Sequence, residues 1–67
     1  MTDGQTGEMT WKPDGTAGRI LHLRIKPYEP WRPYREFPQY FLPDTPGKSQ
    51  GYATFVSLLG NGWKVIN

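Results

Sequence analysis

Hydrophobic and polar residues alternate most regularly over residues 19–25. Ile20, His22 and Arg24 fall on one side of an extended chain, and Arg19, Leu21, Leu23 and Ile25 on the other. The second set holds three aliphatic side chains. The strand is therefore expected to turn Leu21, Leu23 and Ile25 to a core and leave His22 in solvent between two arginines. A shorter alternation, Met9 and Trp11, marks a second strand over residues 8–12. Between the two, Lys12-Pro-Asp-Gly15 reads as a turn, because proline presets φ and glycine tolerates positive φ. Sequential strands joined this way are expected to pair as a hairpin.

The C-terminal part supports two readings. Tyr52, Phe55, Val56 and Leu59 stand at i, i+3, i+4 and i+7, which predicts a helix over residues 52–59 with those four side chains inward. Ser49 then offers an N-cap oxygen, and Gly60 a left-handed C-terminal residue. Thr54, Ser57 and Asn61 are segregated on the outside, and residues 63–66 return as a strand. In the alternative, residues 52–59 are a strand and Asn61-Gly62 is the turn of a hairpin. The segregation favours the helix. The ending Leu58-Leu-Gly-Asn-Gly-Trp-Lys-Val-Ile66 resembles the helix–Gly-Trp–strand ending of other small α+β domains. That resemblance rests on generic capping and core positions and implies no function.

Residues 27–46 follow neither period. Six of the seven prolines and six of the ten aromatic side chains lie there, with Pro27, Pro30 and Pro33 three apart. Each proline lacks an N–H and restricts the residue before it, so helix and interior strand both fit poorly. An extended, partly polyproline II belt is expected, ending in a turn at residues 44–47. In it Tyr28, Trp31, Tyr34 and Phe37 would share one edge. A structureless loop of that length is unusual in so small a domain, so the belt is expected to pack.

Composition narrows the class. Sixty-seven residues make one domain, expected to span residues 8–67 behind a frayed polar tail at residues 1–7. A domain this size buries only about 60% of its unfolded surface. With no cysteine and one histidine, neither disulfides nor a structural zinc site can supplement the core, and no metal or cofactor is expected. Aromatics must supply it instead. No transmembrane stretch and no signal peptide are visible, and a cytoplasmic location is expected.

Catalysis finds little support. His22 is the only imidazole, and Ser49 and Ser57, the only serines, have simpler roles at a helix cap and surface. Gly60-Asn-Gly62 lacks the helix and Lys-Ser/Thr pair of a phosphate loop. The chain is expected not to be an enzyme.

Binding is the better class. Pro27-Tyr-Glu-Pro-Trp-Arg32 matches the PxxPxR spacing of polyproline II ligands. Tyr28, Trp31, Arg32, Tyr34, Arg35 and Tyr40 combine the residue types that dominate protein interfaces, aromatics for pockets and arginines for bidentate carboxylate contacts. A protein partner is expected, the chain acting as an interaction module or accessory subunit; its oligomeric state is not encoded in any motif. Single-stranded nucleic acid is the alternative. Five cations interleave with aromatics between residues 19 and 41, diluted by two glutamates. The architecture expected is α+β: an antiparallel sheet of about three strands, one short C-terminal helix and the aromatic belt. An all-β, SH3-like barrel is the alternative if Asn61-Gly62 turns a hairpin.

Overall fold

The computed structural model describes residues 5–67. Four strands form one open sheet: β1 (Glu8–Pro13), β2 (Arg19–Arg24), β3 (Arg32–Pro33) and β4 (Lys64–Val65), in the order β3-β2-β1-β4. One helix, α1 (Tyr52–Leu59), precedes β4. The α+β architecture is the expected one. The sheet differs in two respects: it has four strands, and it is mixed.

The β1–β2 hairpin forms as the alternation predicts, with Met9 opposite Leu23 and Trp11 opposite Leu21. Those four side chains share one face. Met9, Leu21 and Leu23 are fully buried, and Ile25 is half-buried beside them. Strand β1 runs on through Pro13, and the loop is closed by Asp14 N–H donating to the Gly18 carbonyl at 3.1 Å.

The belt supplies the extra strand. Pro33 has polyproline II angles (φ −57°, ψ 147°), and residues 32–33 pair antiparallel with β2, setting His22 against Pro33. The extended run ends there. Tyr34–Glu36 coils into a 3-10 turn, and Tyr40 and Phe41 N–H both return to the Phe37 carbonyl. The four aromatics therefore do not share an edge. Tyr34 is buried, Trp31 and Phe37 are half-buried, and Tyr28 is 82% exposed. The belt's terminal turn is one residue later than expected, closed by Lys48 N–H on the Thr45 carbonyl.

This strand corrects the expectation for His22. It is 5% exposed, not solvent-facing, with Nδ1 2.8 Å from the Ile20 carbonyl oxygen. The expectation left that face of β2 open, but β3 pairs beside it. Trp31 also lies against Arg24, two residues along the same face, the guanidinium 4.1 Å from the ring centroid. Strand β2 is thus covered on both sides, and Ile20 joins the core.

Strand β4 runs parallel to β1, with Met9 opposite Val65. Parallel neighbours need a crossover, and the belt and α1 provide it. Residues 60–62 turn the chain after the helix, so Asn61-Gly62 makes no hairpin and the sheet does not close into a barrel; β3 and β4 remain edges. Gly60 is right-handed (φ −71°), and the left-handed residue is Gly62. Of the expected tail, residues 1–4 lie outside the described residues. Gly7 is buried and its carbonyl accepts from Lys64 N–H at 3.0 Å. Among the described residues no helix is long and apolar enough to cross a membrane.

Candidate functional site

Helix α1 has the expected bounds but a different rotation. Its buried residues are Thr54 and Leu58, with Phe55 half-buried. Tyr52, Val56 and Leu59, expected inward, are 39%, 49% and 47% exposed. Two contacts explain the rotation. Thr54, wholly buried, is the belt's anchor: its Oγ1 accepts from Leu42 N–H at 2.9 Å and faces the Leu42 carbonyl at 3.5 Å. Leu42 has no ladder partner for its backbone groups, and a backbone donor left unpaired against a packed helix is costly. Gly51, which precedes the helix in place of the expected Ser49 cap, brings its backbone against Leu21 and the Tyr34 ring. A side chain at residue 51 would hold the helix off the sheet.

The outward side of α1 is therefore apolar, and it is continuous with the sheet's partly exposed aromatic. The Tyr52 and Phe55 ring centroids are 6.5 Å apart, and Phe55 and Trp11 5.4 Å apart. The helix carries no charged residue. Cations stand at both ends of this strip. Lys48 Nζ lies 5.2 Å from the Tyr52 ring centroid, and the Arg19 guanidinium donates to the Trp11 carbonyl at 3.2 Å.

The residues favoured on sequence are distributed among other tasks. Tyr34 is core: its hydroxyl donates to Asp44 at 2.8 Å and its ring stacks on Phe41 at 5.6 Å. Burial first, and the Asp44 hydrogen bond and charge next, push its phenol up to about 12. Tyr40 is half-buried, edge-on to Trp63 at 5.0 Å. Arg32 pairs with Glu36 at 3.4 Å and Arg35 with Asp14 at 3.0 Å. Trp31 packs beneath Arg24, which also binds Glu8 at 2.8 Å. Of the six, only Tyr28 projects freely, from the short turn in which Glu29 N–H donates to the Lys26 carbonyl.

A cleft of about 380 Å³ separates the belt from the other flank of α1. Tyr40, Leu58 and Trp63 line it with Gln39 and Asn61, and no charged side chain does. No group of three or more His, Cys, Asp or Glu side chains that could hold a metal ion occurs among the described residues.

No protein-family model matches the chain, and no curated protein or solved structure matches it either.

The outward face of α1 was missed because its residues satisfy the same 3.6-residue period as a core stripe. A signal was available: Gly51, Thr54 and Leu58, at i, i+3 and i+7, place two small residues on one side, the composition of a helix pressed close to its neighbour.

Proposed function

We propose that the chain is a non-enzymatic protein-interaction module, a small accessory subunit that docks through the outward face of α1. The observation that carries this reading is the exposure of Tyr52, Val56 and Leu59 on one side of an uncharged helix. Scattered apolar residues on a surface need no explanation, but three on adjacent turns, extended by Phe55 and Trp11, make a patch. Each square ångström of that apolar surface removed from water gains about 25 cal/mol. Exposed aliphatics also favour a protein partner over a nucleic acid, because Val56 and Leu59 offer no ring on which a base can stack. The belt serves the fold in this reading: it provides β3 and the Thr54 anchorage, and its arginines are engaged with Glu36 and Asp14.

The test compares capture from an extract of the source cell by the wild-type protein, by Val56→Asp and by the belt variant Arg32→Ala. Val56 is half exposed, so the aspartate is expected to leave the circular dichroism unchanged. A partner held by wild type and Arg32→Ala but lost by Val56→Asp supports the reading. A partner lost by Arg32→Ala and kept by Val56→Asp would move the surface to the belt. Capture abolished by nuclease would replace protein with nucleic acid.

A further inference from the structure

We infer that what docks on this face is an acidic amphipathic segment of another protein, its apolar residues seated on Tyr52, Val56 and Leu59 and its carboxylates meeting Lys48 at one end and Arg19 at the other. The inference rests on the reading of α1 as the docking face and adds the chemistry of the partner.

The distribution of charge carries it. Every acidic side chain among the described residues is engaged within the chain. Glu8, Asp14 and Glu36 hold Arg24, Arg35 and Arg32. Glu29 accepts from the Ile25 and Lys26 N–H groups at 3.3 and 3.2 Å. Asp44 accepts from the Tyr34 hydroxyl and, at 2.7 Å, from Gly51 N–H. The cations are not matched in the same way: Lys12, Arg19, Lys26, Lys48 and Lys64 have no carboxylate partner among the described residues. Two of these five bracket the apolar strip. From one end it reads Lys48, Tyr52, Phe55, Trp11, Arg19, each step a contact.

A partner that covers this strip draws water away from both cations, so it must bring opposite charge to the ends and apolar surface to the middle. The described residues of a second copy match this surface poorly. They present the same cations and no free side-chain carboxylate to meet them. A nucleic acid would supply the charge but not the apolar middle, and the rings are tilted against one another, 57° for Trp11–Phe55 and 38° for Tyr52–Phe55, not laid open as stacking platforms. Acidic residues at the ends of an apolar stripe satisfy both requirements.

The test uses two synthetic helical peptides with the same apolar stripe, one flanked by glutamates and one by lysines, titrated into the full chain by calorimetry. The Glu-flanked peptide is expected to bind about tenfold more tightly at low salt, the gap closing as salt screens the two ends. The double variant Arg19→Glu/Lys48→Glu is expected to invert the preference. Equal binding of both peptides, abolished by Val56→Asp, would overturn the acidic partner while leaving the docking face standing. No detectable binding of the Glu-flanked peptide, or a preference unchanged by the double variant, would also overturn it. So would self-association of the free chain that Val56→Asp abolishes.

Discussion

Gly51→Ala is expected to remove about half of the domain's stability. Two independent costs meet at that residue. Its φ of 95° lies in the left-handed region, where a side chain is strained by about 1–2 kcal/mol. A Cβ there would also stand 2.6 Å from Leu21 Cβ and 3.2 Å from the Tyr34 ring. Neither neighbour can yield cheaply: Leu21 is fully buried in the central strand, and Tyr34 is fixed by Asp44. Overpacking of this kind adds about 1–3 kcal/mol. A chain of this length has roughly 3–10 kcal/mol in total. Gly47→Ala provides the control. Its φ of 84° imposes similar strain, but no atom lies within 4 Å of the added carbon, so only the strain of about 1–2 kcal/mol is expected. Urea unfolding followed by circular dichroism reads both. Equal losses for the two variants would show that the helix is not pressed onto the sheet at residue 51.

Trp63→Ala is expected to cost about 3–5 kcal/mol, while Trp31→Ala costs about 1–2 kcal/mol and leaves a folded protein. Trp63 is buried, packs edge-on against Tyr40, and covers Gly7, whose backbone leaves no space for a side chain beside the indole. Its backbone N–H, which the variant keeps, closes the turn after α1 on the Leu58 carbonyl at 3.1 Å. The ring therefore joins the belt to the residue that precedes β1. Trp31 lies against the guanidinium of Arg24, and part of its surface is in water. The same denaturation experiment separates them. Trp31→Ala as damaging as Trp63→Ala would return the core to the belt.

The hairpin was legible because its strand repeats one period over seven residues, whereas residues 52–59 fit both periods and only the segregation of polar side chains favoured the helix. Arg19 to Ile25 alternates, and only one of its faces is aliphatic enough to be a core. The rotation of α1 was not legible for a related reason. Six of its eight residues are apolar, so whichever side packs, a second apolar side is left over. What decides between them is not hydrophobicity but tertiary contacts, the hydroxyl of Thr54 on Leu42 and the missing side chain of Gly51. The burial of His22 depended on a strand that sequence rules discourage: Arg32 and Pro33 pair at the edge of the sheet, the place where a proline is tolerated. The belt residues looked like a site for their chemistry: Trp, Tyr and Arg also make good partners within a small fold. Tyr34, Tyr40, Arg32 and Arg35 are engaged that way, and the surface proposed instead contains only one of the belt's neighbours, Lys48.

The chain contains no cysteine, so a single introduced thiol reports directly on what covers a residue. Val56→Cys tests the helix face, and Tyr28→Cys, on the exposed turn of the belt, provides the comparison. Both are expected to react rapidly with a maleimide in the purified protein. In living source cells treated with a permeant maleimide, Val56→Cys is expected to be protected and Tyr28→Cys to react as before. A Val56→Cys thiol equally reactive in both settings, or a protected Tyr28→Cys beside it, would contradict the assignment of α1 as the docking face.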